Sequence, residues 1–148
     1  MRMICVALIT AAVMCSAVSA TAVTHSVTVA PGGSFVFSPA HIVVAAGDTV
    51  HWVWARTGHN VRSGVPGSPT PYFYSGAPAP AGTTFDVVFD MAFVIANPVP
   101  GNVYYYYCEP HGSLFGMTGS VEVTVSTGVV SGPTTDLASW SSIKALYR

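Results

Sequence analysis

The sequence predicts an all-β domain, a sandwich or barrel of about seven to eight short strands, followed by a short C-terminal tail. Two observations carry that prediction. Runs rich in β-branched and aromatic residues recur between residues 21 and 126, several of them alternating apolar with polar as half-buried strands do. Fourteen glycines and 11 prolines punctuate the chain and break those runs apart, and no segment of 21–126 carries a helical period. At 148 residues the chain can bury one core but not two.

The elements follow in chain order. His25-Ser-Val-Thr-Val29 alternates, and Ser34-Phe-Val-Phe37 does so in part. Ile42-Val-Val-Ala45 is an apolar run, Ala46-Gly-Asp48 a turn, and Thr49-Val-His-Trp-Val-Trp54 a strand of strong β-formers. A turn at Thr57-Gly-His-Asn-Val61 precedes a short β segment. Residues 63–82 contain five prolines, which forbid a central strand, so they are expected to form a long loop with Tyr72-Phe-Tyr74 packed back onto the sandwich. Thr83–Phe89, Val103–Tyr107 and Ser120–Val125 complete the set. In the last of the aromatic strands, Tyr104–Tyr107 are expected to place two rings on each face.

The two ends read differently. Arg2, an apolar run from Ile4 to Val18 and the small residues Ala17-Val-Ser-Ala20 form a secretory signal pattern over residues 1–20, with cleavage after Ala20. The run is short against the roughly 20 apolar residues needed to span a bilayer. Cys15 could suggest a lipoprotein, but Met14 stands where such signals carry a small residue. The domain is therefore placed at 21–126, secreted or periplasmic, with no later membrane span. Residues 127–148 form a Gly/Ser-rich linker and a tail with Leu137, Trp140, Ile143 and Leu146 at spacings of three.

Composition removes several function classes. Only 7% of residues are charged and the formal net charge is −1, so no basic patch exists for nucleic acid. No Ser-His-Asp spacing, carboxylate pair or phosphate-binding loop is present, and an enzyme is not expected. Cys5 and Cys15 depart with the signal, which leaves Cys108 alone. A lone thiol in an oxidising compartment is either buried and inert or bound to something.

The neighbours of Cys108 favour binding. In Cys108-Glu-Pro-His111, a thiolate and an imidazole leave a strand end three residues apart, with Pro110 stiffening the turn. A further ligand has to come from His25, His41, His51 or His59. His59 lies in a turn, His51 mid-strand, and His25 and His41 at strand starts where surface positions are expected. Met117 ends the same loop. Two imidazoles, a thiolate and a weak thioether suit copper in a trigonal His2Cys site with an axial Met, whereas structural zinc takes four firm ligands.

The chain resembles the cupredoxins, the small blue-copper proteins, and is most similar to their plastocyanin and halocyanin branch. The residues that carry the resemblance are Gly58-His-Asn-Val61, Phe73-Tyr-Ser-Gly76, and Tyr107-Cys-Glu-Pro-His111 with Gly116-Met117. It implies a Greek-key sandwich, one copper ion held by His59, Cys108, His111 and Met117, and Asn60 as a hydrogen-bonding tie between the two ligand loops. It also implies a monomeric carrier of single electrons between Cu(I) and Cu(II), docking briefly with redox proteins. His111 would be the exit and Pro110, Leu114 and Phe115 the apolar rim. In that branch the methionine usually lies five residues after the second histidine; here it lies six after His111, which lengthens the loop. The competing expectation is copper delivery or storage, but the mature chain carries only Met91 besides Met117 and no histidine-rich tract.

Overall fold

Alternation in the sequence becomes the two inner faces of a sandwich. The computed structural model describes residues 21–126; the expected signal segment 1–20 and the tail 127–148 lie outside the described residues. One sheet contains β1 (Thr24–Val29), β2 (Phe37–Ser38), β4 (Thr49–Trp54) and β7 (Thr84–Val88), in the order β2-β1-β4-β7. The other contains β3 (His41–Ala45), β5 (Arg62–Val65), β6 (Ser68–Tyr74), β8 (Val103–Tyr107) and β9 (Thr118–Thr124), in the order β3-β9-β8-β5-β6. β1 runs parallel to β4 and β3 parallel to β9, while the remaining pairs are antiparallel.

Register fixes which residues meet. Val27 faces Trp52 and Val29 faces Trp54 across β1 and β4. All four are buried, whereas Ser26 and Thr28 between them are not. Tyr104 and Tyr106 of β8 and Val121 and Val123 of β9 fill the opposing inner face. The tyrosines interlock with Trp52, Phe73, Phe89 and Phe93 at ring centroid separations of 5.1–6.4 Å, mostly tilted or edge-on as aromatic pairs prefer. Gly119 of β9 lies directly under the Tyr106 ring: a Cβ there would come within 2.5 Å of Oη and 2.7 Å of the Ala40 carbonyl. Only glycine admits that approach.

Two details differ from expectation and a third refines it. The described residues hold nine strands, because part of the proline-rich stretch pairs as the β5–β6 hairpin. Pro69 and Pro71 are tolerated since β6 is the outermost strand and one side of it needs no partner. Phe73 is buried there but Tyr74 is exposed. Two short helices, α1 (Met91–Ala96) and α2 (Gly112–Phe115), are too brief to show a period in sequence. Finally, β8 places two rings on each face as expected, but the outer pair differ: Tyr105 is exposed, whereas Tyr107 is covered where α2 passes over it. Gly112 makes that cover possible, since a Cβ at this position would meet the Tyr107 ring at 2.9 Å and Pro66 at 3.0 Å.

Candidate metal centre

Two connections at one end of the sandwich supply the candidate donors. His59 lies where the chain crosses from β4 in one sheet to β5 in the other. Its backbone is fixed on both sides. Trp54 Nε1 donates to the His59 carbonyl at 2.6 Å, and Ala79 N donates to the same oxygen at 2.9 Å. Cys108, His111 and Met117 lie on the single connection between β8 and β9. Cys108 N donates to the Met117 carbonyl at 3.1 Å, which closes that connection at its base. His111 N and Gly112 N donate back to the Cys108 carbonyl at 3.1 and 2.6 Å, folding the turn so that His111 returns over Cys108. The residue added to the loop is absorbed in α2: Phe115 N reaches the His111 carbonyl, Gly116 N that of Gly112, and Met117 N that of His111.

The geometry brings three side chains together. Cys108 Sγ lies 3.6 Å from His59 Nδ1 and 3.3 Å from His111 Nδ1. One donor atom from each of the three lies within 4.8 Å of the others. His59 and Cys108 are buried and His111 is half-buried. Met117 is fully buried beside them in sequence and shares the core. His25, His41 and His51 do not join: His25 contacts Asp48 at 2.9 Å, His41 contacts Ser120 Oγ at 2.8 Å, and His51 pairs with Asp86.

Electrostatics suit a cation. Burial and, secondarily, the neighbouring His111 lower the pKa of His59, so its imidazole stays neutral with a lone pair to give. Burial also pushes the Cys108 thiol up, and the Glu109 charge adds to this, while the amides of Asn60 and His111 oppose it. A thiol so placed becomes a thiolate when a cation compensates it. A soft sulfur and two imidazoles form a donor set that fits copper.

Around the donors lies a hydrogen-bonded frame. Asn60 is fully buried; its Oδ1 accepts from Glu109 N at 2.8 Å, and its Nδ2 donates to Glu109 Oε2 at 2.6 Å and to the Gly76 carbonyl at 3.0 Å. These bonds join the connection that carries His59 to the one that carries Cys108. The sequence did not reveal the rest: Arg62 donates to Glu109 at 3.0 Å and lies 4.5 Å over the Tyr74 ring, and Tyr74 Oη donates to Glu109 at 2.9 Å. Burial works against the Glu109 charge, but Tyr74, Asn60 and Arg62 outweigh it and hold the carboxyl below its ordinary range. Nothing local in the sequence marks Arg62 or Tyr74, because the partners are 35 or more residues apart. Phe35, which packs on His111, has the same remoteness.

Pro110, Leu114 and Phe115 are all exposed around His111, Leu114 at 80%. Phe35, stacked on Phe115, extends this apolar surface.

Comparison with known proteins agrees with the site. Residues 23–124 match the family model described as copper binding proteins, plastocyanin/azurin family, a description that singles out no branch. Among solved structures, a purple cupredoxin from Nitrosopumilus maritimus is 26% identical with a TM-score of 0.50, over 67% of this chain and 98% of that one. Pseudoazurin from Methylobacterium extorquens AM1 is 28% identical with a TM-score of 0.48, over 68% and 74% of the two chains. With the fold, the buried thiol and its two imidazoles in place, the chain belongs to the plastocyanin/azurin family of copper-binding proteins.

Proposed function

We propose that this protein is a carrier of single electrons, with His59, Cys108 and His111 as the firm ligands of one copper ion and Met117 as the weak axial one. The observation that carries this is the closed cluster of a buried thiol and two imidazoles, whose donor atoms lie within 4.8 Å of one another. Copper held by such a set supplies one-electron exchange between Cu(I) and Cu(II). The chain's own residues do the rest. Trp54 and Ala79 hold the His59 backbone, and Asn60 ties the His59 loop to the Cys108 loop. The aromatic core keeps water from the sulfur. Ligands held this firmly resist rearrangement, which favours a carrier over an enzyme that must admit substrate.

His111 is the half-buried member of the cluster, with Pro110, Leu114 and Phe115 exposed about it. That placement supports electron exit through His111 and brief docking of redox proteins on the apolar rim, in the small interfaces such encounters use. The signal pattern in residues 1–20 supports work outside the cytoplasmic membrane. Among the described residues no helix is long and apolar enough to cross a membrane.

The test is a visible spectrum during titration with Cu(II), with Cys108→Ser beside it. An intense blue thiolate-to-copper band that saturates at one equivalent, is missing in the variant and bleaches reversibly with ascorbate is expected. A pale protein that nevertheless binds copper would replace this reading with copper delivery or storage.

A further inference from the structure

The two histidines of the cluster are held in different ways. His59 is buried and its backbone carbonyl accepts two hydrogen bonds. The His111 carbonyl likewise accepts from Phe115 N and Met117 N, so its backbone is held as well, and the difference lies in the burial of the ring. His111 is half-buried at the start of the four-residue α2, and the one side-chain polar contact of its ring is Nδ1 to Cys108 Sγ at 3.3 Å. Histidine ligands are ordinarily oriented by a hydrogen bond from the second ring nitrogen. Among the described residues neither the His111 ring nor the His59 ring has such a partner in a side chain or backbone group.

What the His111 ring has is a face. Phe35 lies against it with centroids 4.4 Å apart and planes at 22°, and against Phe115 at 4.3 Å and 25°. Phe35 thus touches both His111 and Phe115, whose own centroids lie 5.9 Å apart, and its ring also approaches His59, at 6.0 Å. The segment that presents it is tightly folded. Ala30 N donates to the Val36 carbonyl at 2.9 Å, closing a loop over a turn at Pro31–Gly33, and the Ser34 amide and hydroxyl both donate to the Pro31 carbonyl. Phe35 remains 37% exposed, an expensive placement for a ring that serves the core alone.

We infer that Phe35 is a positioning residue: it clamps the His111 imidazole by stacking and keeps Nδ1 aimed at the Cys108 sulfur. The inference rests on His111 being a metal ligand, as proposed above. A flat ring 4.4 Å from the imidazole blocks rotation about the His111 side-chain bonds toward that side. Stacked aromatic pairs attract each other beyond the effect of the area they bury. Without the clamp the ring samples orientations with Nδ1 turned away from the sulfur, and a metal ion held by it escapes faster.

The test uses Phe35→Leu and Phe35→Trp in two forms of the protein. In the metal-free form, relaxation dispersion on the isotope-labelled imidazole rings is recorded at one fixed pH. Phe35→Leu is expected to introduce microsecond-to-millisecond exchange at His111 while leaving His59 quiet, and Phe35→Trp is expected to suppress it. In the copper-loaded form, release of Cu(I) to a competing chelator is expected to rise about tenfold in Phe35→Leu, the lower end of the range for lost orienting partners, and to return towards the parent rate in Phe35→Trp. Two results would overturn the inference: His111 ring dynamics that are the same in Phe35→Leu and the parent, or exchange that spreads equally to His59 and so marks general loosening. The ring measurement needs no copper, so its failure is separate from the absence of a blue band in the parent protein. Should Phe35→Leu not fold, unaltered His111 exchange in a folded Phe35→Ser would overturn the clamp in the same way.

Discussion

Replacing Asn60 by alanine removes three hydrogen bonds at once: two to Glu109, through its amide and its carboxylate, and one to the Gly76 carbonyl. The side chain is fully buried, so the space it leaves is not readily filled by solvent. A neutral bond contributes about 1 kcal/mol net, and one to a charged group about 1.5–3 kcal/mol. Glu109 is partly exposed and regains some hydration, so the expected loss is about 3 kcal/mol for Asn60→Ala. For a domain near this size that lowers the melting temperature by about 10 °C. The lost tie also frees the two ligand loops from each other, for which about a 10–100-fold loss of metal affinity is expected. The assay is a thermal melt of the metal-free protein by circular dichroism, paired with a competitive copper titration. Asn60→Asp separates the parts, because it keeps the acceptor for Glu109 N but sets a second carboxylate against Glu109; it should melt no higher than Asn60→Ala at neutral pH. A shift in Asn60→Ala below about 3 °C with unchanged affinity would refute the reasoning.

Further outcomes are expected elsewhere. Gly119→Ala forces a methyl against the Tyr106 ring and the Ala40 carbonyl, and should cost about 1–3 kcal/mol in chemical denaturation; a neutral effect would mean that β9 can move away from β3 and β8. Asp48 accepts from the amides of Val23 and Ala45 and contacts His25, so its pKa is lowered from the ordinary 3.8. A lowered carboxylate pKa contributes stability that is present above the ordinary value and is lost as pH falls through the folded one. Melting temperature should therefore fall below about pH 4, and Asp48→Asn should flatten that decline, which a series of melts from pH 6 to pH 2 would check. Leu114→Lys places a charge on the proposed docking rim and should slow electron exchange with a partner about tenfold, the equivalent of about 1.4 kcal/mol at the encounter; an unchanged stopped-flow rate would remove Leu114 from the interface.

Sequence reasoning reached some parts of this molecule more readily than others, for physical reasons. Val27 and Val29, or Val121 and Val123, declare their inward face through a period of two, which is a local property. Cys108, His111 and Met117 lie on one short connection, so their spacing in sequence is nearly their spacing in space. His59 was separable from His25, His41 and His51 because it alone falls in a turn. The stacking of Phe35 on His111 spans the fold, and the stretch Ser34–Phe37 reads as an interrupted strand whatever Phe35 touches. The β5–β6 hairpin was obscured because proline excludes a strand only where both neighbours demand its amide, and edge position is set by the whole sheet. Alternation gives the face of Tyr107 but not its cover, which comes from a turn that depends on Gly112 lacking a side chain.

His59 belongs to the crossing from the first sheet, and Cys108 and His111 to a connection within the second. An ion gripped by all three therefore fastens one layer of the sandwich to the other. Opening the layers must surrender that grip, so occupancy and unfolding are thermodynamically linked. At a free metal concentration about a thousandfold above the dissociation constant, the linkage adds about 4 kcal/mol to the work of unfolding. Heat or denaturant thereby becomes an assay of the site: any change in a ligand loop that weakens the grip should be visible as a smaller gap between the loaded and empty melting temperatures, even if the sandwich itself is unaltered.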